Sequence, residues 1–156
     1  MPKTAGKKAT AADAEIVMKL YDLRREPEMR KARHWYGNAD FSSWEAVQKV
    51  MMGWGTQENA WFRQNLTYWE NAASLVLRGV VNADLFFDWN GEIVFTYVKI
   101  KPYIKQMRET SGSDEFMQRT EKLLSSTPEL RKRVQWMEGQ FKKWGEMMKA
   151  RAAAKG

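Results

Sequence analysis

The sequence contains no cysteine, only one histidine and only four prolines in 156 residues. The absence of cysteine excludes disulfides, thiol catalysis and cysteine-ligated zinc. The single histidine, His34, excludes a multi-histidine metal site, and no Asp or Glu is specifically placed to orient it as a base. The sequence also lacks the Gly-x-Ser-x-Gly elbow, the glycine-rich phosphate-binding motifs and the Glu-x-x-His pattern of di-iron bundles. We therefore expect a non-enzymatic protein with no catalytic residues, no metal and no cofactor.

Long apolar runs are also missing. The longest, such as residues 75–81 and 93–98, fall far short of the roughly 20 residues that span a bilayer. The first ten residues are small and basic, and no apolar segment follows them, so we predict no signal peptide. We expect a cytoplasmic protein without a transmembrane segment.

Positive charge is concentrated at the two ends of the chain. The net charge is +7, of which residues 1–10 carry +3 and residues 131–156 carry +6, so the part between them is slightly acidic. Such ends are typical of solvated helix faces, or of a surface that binds nucleic acid or anionic lipid.

Helical periodicity and capping signals recur along the chain. Thr10, Ser42, Ser113 and Thr127 each stand where an N-cap is expected. We predict an all-α, compact single-domain bundle of about six helices. A disordered basic arm is expected at 1–10, the helical domain at 11–149 and a fraying helical tail at 150–156.

The segment 56–77 predicts a long central helix. Its apolar face is wide: Phe62, Leu66, Trp69, Ala73, Val76 and Val80. Polar residues along and near this helix would be partly buried and would need partners. We expect pairing in the core that involves Arg63, Glu70, Arg78 and Arg108, with a Glu70–arginine pair fixing the helix register. The alternative is a small polar pocket, for a ligand or substrate, walled by Trp61, Tyr68 and Trp69.

Two interpretations compete for residues 85–98. Asn90-Gly91 between β-prone flanks is a strong hairpin signal. The apolar positions beyond it instead step by 4, 3, 4 and 3 residues, as on a helix: Ile93, Tyr97, Ile100, Ile104 and Met107. A lone hairpin has no sheet to join, so we favour two helices with a kink before Pro102.

The last helix, from Thr127 onward, combines an apolar stripe with a basic opposite face. The stripe is Leu130, Val134, Met137, Phe141, Trp144 and Met148. This pattern fits docking on the domain, self-association or partner association, or contact with an anionic membrane. The candidate partner-binding residues are Arg131, Lys132, Arg133, Trp136, Lys142, Lys143 and Lys149.

Scattered positions over about residues 15–124 resemble a family of small bacterial helical domains of unknown function. They include Leu20-Tyr-Asp-Leu-Arg-Arg25, Asn65-Leu-Thr-Tyr-Trp-Glu70 and Lys101-Pro-Tyr-Ile104 with Arg108. The resemblance implies an all-helical fold and no particular activity.

The sequence favours a protein–protein interaction module or accessory subunit of a larger assembly. Its eight tryptophans and ten methionines suit such an interface as well as a core. The alternative is nucleic-acid binding through the two basic ends. A third possibility is a ligand-binding or enzymatic site around Trp61–Glu70.

Overall fold

The structure is a computed structural model that describes residues 7–155. Within this range it is helical throughout and has no strand, which confirms the all-α prediction. The chain is divided more finely than the six or so helices expected: α1 (Ala11–Arg25), α2 (Pro27–Asn38), α3 (Trp44–Met51), α4 (Gln57–Leu77), α5 (Ala83–Trp89), α6 (Glu92–Ile100), a 3-10 turn (Lys101–Tyr103), α7 (Ile104–Ser111), α8 (Gln118–Ser125) and α9 (Pro128–Ala154).

Side-chain caps set several of the helix starts. The Thr10 hydroxyl accepts the Asp13 N–H, and the Asp13 carboxylate accepts the Thr10 N–H in return, which forms a capping box. Thr56 caps α4 and Thr127 caps α9 in the same manner, each by accepting one backbone N–H. At α3 the cap is Ser43 rather than Ser42, one residue later than expected. Short-range capping chemistry therefore positions α1, α4 and α9 as the sequence predicts.

Helix α4 lies at the centre and packs against α2, α3 and α8. Phe62, Leu66 and Trp69 are buried on its predicted face. Val80 is the exception, because α4 ends at Leu77 and Gly79 adopts a left-handed φ of 68°. Val80 then lies beyond the helix and is 48% exposed.

The Asn90-Gly91 segment joins α5 to α6 and forms no hairpin. Asn90 is buried, and its side-chain amide donates to the carbonyl of Phe86 in the last turn of α5. Pro102 stands inside the 3-10 turn that separates α6 from α7. The apolar stripe therefore continues across a break of one 3-10 turn, because proline removes a helical N–H at that point.

The start of α8 differs from the prediction. The sequence places a helix N-cap at Ser113, whereas residues 114–117 form turns and α8 begins at Gln118. Met117, the residue before it, has a left-handed φ of 54° and no side-chain cap. The cap comes instead from Glu70 of α4, whose contacts are described below.

Both chain ends extend past these elements. The predicted disordered arm falls largely on residues 1–6, which lie outside the described residues, as does Gly156. The carbonyl of Lys7 accepts a hydrogen bond of 2.7 Å from the Asn82 side-chain amide. At the other end, α9 remains helical through Ala154, which includes most of the segment expected to fray.

Candidate functional site

The first half of α9 is docked on α6 and α8. Leu130 and Val134 are buried there, and Lys101 forms an ion pair with Glu138. The last aromatic contact that α9 makes with another helix is that of Phe141, whose ring stacks on Phe95 with the centroids 5.3 Å apart. The docked part of α9 therefore ends at Phe141.

Beyond Phe141, every residue from 142 to 155 is exposed. We call these residues the projecting end of α9. Its thirteen helical residues span about 20 Å at 1.5 Å per residue. A helix that packs on its own domain along its whole length would bury one stripe, and this segment buries none.

The projecting end is nevertheless amphipathic. Trp144, Met147 and Met148 are 43%, 52% and 64% exposed, so their side chains present apolar surface to solvent. Lys142 and Lys149 lie about 100° or more around the helix from Trp144. Five basic residues and one acidic residue give the projecting end a net charge of +4. Trp144 packs edge-on against Phe141 of the same helix, with the ring centroids 5.3 Å apart. The rest of the apolar strip lies exposed beside a positive face.

The seven predicted partner-binding residues divide into two groups. Arg131 donates to the carbonyl of Ser125 at 2.6 Å, and the Arg133 guanidinium lies 5.7 Å from the Phe87 ring centroid, so both are engaged within the domain. The other five are exposed: Lys132, Trp136, Lys142, Lys143 and Lys149. Three of these five belong to the projecting end, which leaves Lys132 and Trp136 on the docked part.

Met147 is an exposed apolar residue of the projecting end that the sequence analysis did not select, because it falls outside the 4-3 stripe. Its position eleven residues after Trp136 places both on one strip of the helix. That spacing is the signal from which it could have been found.

The four residues expected to pair in the core do not form one network. Arg78 is exposed and reaches only the Ser74 hydroxyl, and Arg63 donates to Asn59 of its own helix. Arg108 instead bridges the carbonyl of Phe116 and the carboxylate of Glu121, the latter at 2.6 Å. None of these arginines contacts Glu70.

The Glu70 carboxylate binds the start of α8. One oxygen accepts the backbone N–H of Arg119 at 2.8 Å, and the other accepts the backbone N–H and the hydroxyl of Thr120 at 3.0 and 2.8 Å. A carboxylate at this place satisfies N–H groups that have no partner inside the helix. Glu70 also forms an ion pair with the Arg119 guanidinium at 3.5 Å, so it does pair with an arginine, but not with Arg63, Arg78 or Arg108, which the sequence singles out.

The alternative pocket walled by Trp61, Tyr68 and Trp69 is not assembled. Trp69 is fully buried, and the Tyr68 hydroxyl donates to the carbonyl of Leu20 at 2.6 Å. Trp61 faces a different part of the surface and lies 6.3 Å from Trp35, centroid to centroid. The rings of Tyr68 and Trp69 do contact each other edge to face, with the centroids 4.8 Å apart, but Trp61 lies outside that contact.

Neither a metal cluster nor a membrane span is found among residues 7–155. No three histidine or acidic side chains in this range are close enough to hold an ion. None of its helices combines the length and the apolar character needed to cross a bilayer.

The chain matches the family model for a domain of unknown function, DUF4760, over residues 9–126. It belongs to the DUF4760 family. This confirms the resemblance seen over residues 15–124 of the sequence. No curated protein and no solved structure matches the chain. The DUF4760 match covers α1–α8 and ends before Thr127, the cap of α9. The projecting end is therefore carried on a helix outside the part of the chain that the DUF4760 model describes.

Proposed function

We propose that this DUF4760 protein is a non-enzymatic interaction module, an accessory subunit that binds a protein partner through the projecting end of α9. A cytoplasmic location is part of the proposal. The observation that carries it is that every residue from 142 to 155 is exposed, on a helix that presents Trp144 and Met148 to solvent. Trp, Met and Arg are enriched where protein interfaces form, and exposed apolar strips of this kind are covered in complexes.

The charge of the projecting end indicates the chemistry of the partner. With a net charge of +4 it would repel a second copy of itself laid alongside, which disfavours pairing of two projecting ends. In a partner with an apolar groove and acidic rims, the groove would bind the apolar strip and the acidic residues would contact the positive face, as in helix-in-groove recognition. We therefore propose a different, acidic protein as the partner.

Affinity capture with a charge-reversed variant tests this proposal. Tagged full-length protein is incubated with native lysate after nuclease treatment, and bound proteins are identified by mass spectrometry. The Lys142→Glu/Lys143→Glu variant is compared with Lys19→Glu/Lys122→Glu, which makes the same charge change at exposed positions on α1 and α8. We expect an acidic protein that is captured by the native chain and by the control variant but not by the α9 variant.

Three results would overturn the proposal. A partner that the Lys142→Glu/Lys143→Glu variant retains at the native level must bind elsewhere on the molecule. If all captured partners are lost after nuclease treatment, the basic face binds nucleic acid instead. If the purified protein sediments strongly with anionic phospholipid vesicles, the basic face binds a membrane instead.

A further inference from the structure

The solvent-facing side of α2 lines a cleft of about 790 Å³, closed on one side by Trp61 at the start of α4. Its main walls are the side chains of Arg30, Lys31, His34 and Trp35. Counted from Arg30, the other three lie one, four and five residues later, which places all four on one face of α2. The opposite face of α2 is buried in the core. The cleft lies within the size range of small-molecule sites.

The positive charge of Lys31 in this cleft is matched by Glu28, but that of Arg30 is not matched by a carboxylate. None of the residues that line it is acidic. Glu28 lies next to it but is already bound by Lys31, with a nitrogen-to-oxygen distance of 2.6 Å. The guanidinium of Arg30 and the imidazole of His34 have no hydrogen-bond or ion-pair partner among residues 7–155. Two donor groups are therefore free to bind an anion from solution.

The two tryptophans form a fixed apolar wall beside these donors. Their ring centroids are 6.3 Å apart and the rings are inclined by 41°, so no planar group fits between them. The indole N–H of Trp61 points to Glu28 at 3.5 Å, and Trp35 packs edge-on against the ring of Phe41. A planar ring can stack only on the outer side of this wall, which faces the cleft.

We propose that this cleft binds a nucleotide, with the base stacked on the Trp35–Trp61 wall and the phosphate held by Arg30 and His34. Stacking on aromatic side chains is available to every base, and an arginine fork matches the geometry of phosphate. An uncharged aromatic ligand would leave the two free donors unused, and a bare anion would leave the wall uncovered. This site is separate from α9 and does not depend on the function proposed above.

Isothermal titration calorimetry of the full-length protein with AMP tests the proposal. Adenosine and inorganic phosphate serve as half-ligands, and we expect each to bind at least about tenfold more weakly than AMP. Arg30→Glu and Trp61→Leu should each weaken AMP binding by about tenfold or more, while Lys122→Glu, an exposed charge reversal on α8, should leave it within about twofold of the native value. Circular dichroism spectra verify that each variant remains folded.

Several outcomes would overturn it. The first is that titration of the native protein with AMP up to about 1 mM gives no saturable heat. Alternatively, adenosine or phosphate alone would bind as tightly as AMP, or Arg30→Glu and Trp61→Leu would bind AMP like the Lys122→Glu control. Tighter binding of a hexaglutamate peptide than of AMP would assign the cleft to an acidic peptide instead.

Discussion

Glu70 accepts two hydrogen bonds from Thr120, one from the backbone N–H at 3.0 Å and one from the hydroxyl at 2.8 Å, across 50 residues of sequence. The contact joins the central helix α4 to the first turn of α8, and α8 in turn packs against α9. Glu70 thus contributes to the placement of α8, one of the helices on which α9 packs. Its side chain is only 13% exposed.

Removal of the Glu70 carboxylate should destabilise the fold. Glu70→Ala leaves the N–H groups of Arg119 and Thr120 without their acceptor, so we expect the free energy of unfolding to fall by about 1–3 kcal/mol. Urea denaturation followed by circular dichroism measures it. Glu109→Ala is the control, because that carboxylate is 65% exposed and lies 4.0 Å from Lys105, and it should change stability by less than about 0.5 kcal/mol. Equal effects of the two substitutions would show that Glu70 does not act as a cap.

Deletion of the projecting end should leave the domain intact. Because residues 142–155 are all exposed and the ring contact of Trp144 is to Phe141 of its own helix, a chain that ends at Phe141 should melt within about 2 °C of the full-length protein. Phe141→Ala in the full-length chain should instead lower the melting temperature by several degrees, since it removes the ring stacked on Phe95. Differential scanning calorimetry distinguishes the two. A large loss on truncation would mean that the projecting end packs on the domain in solution.

Stability should decline in strongly alkaline solution. Burial raises the pKa of Tyr36 well above its usual value, and burial raises the pKa of Tyr68 and Tyr97 to about 12, with the charge of Glu121 adding to the effect at Tyr97. Above about pH 10 these phenols ionise in the unfolded chain and stay protonated in the native one, so unfolding releases protons and the free energy of unfolding falls as pH rises.

The alkaline measurement is a series of urea denaturation curves above about pH 10.5. Burial lowers the pKa of Lys99 to about 8, so at lower pH this group makes the free energy of unfolding rise with pH, opposite to the effect of the phenols. The series begins above about pH 10.5 to avoid this contribution. We expect the urea midpoint to decrease steadily, and to decrease less steeply in Tyr68→Phe. A midpoint that stays constant up to about pH 11.5 would contradict the assigned burial of the three phenols.

Local signals were sufficient for most of the fold. Thr10 and Thr127 cap helices where the sequence places them, because the donor and the acceptor are three residues apart. The helical interpretation of residues 93–107 is correct because Ile93, Ile100 and Met107 all face the core. The spacing of caps and apolar residues along the chain is therefore sufficient to predict these helices.

Contacts that depend on distant residues were not predictable. The first turn of α8 is capped by a side chain 50 residues earlier, so the local cap at Ser113 gave the wrong start. The α2 cleft does not follow from His34 alone. Arg30, His34 and Trp35 already share one helix face in the sequence, but only the fold places Trp61 opposite them. The exposure of residues 142–155 likewise depends on the placement of α6, whose Phe95 contacts Phe141, and periodicity does not show that placement.

Site-specific photo-crosslinking is the most direct test of the projecting end as the partner-binding surface. A benzophenone amino acid replaces Met148 in one chain and Lys19, on α1, in a control chain, and intact cells are irradiated. We predict one protein adduct from position 148 that disappears when Lys142→Glu/Lys143→Glu is added, and no such adduct from position 19. An adduct that forms equally from position 19, or none from position 148, would contradict the assignment of the projecting end as the binding surface.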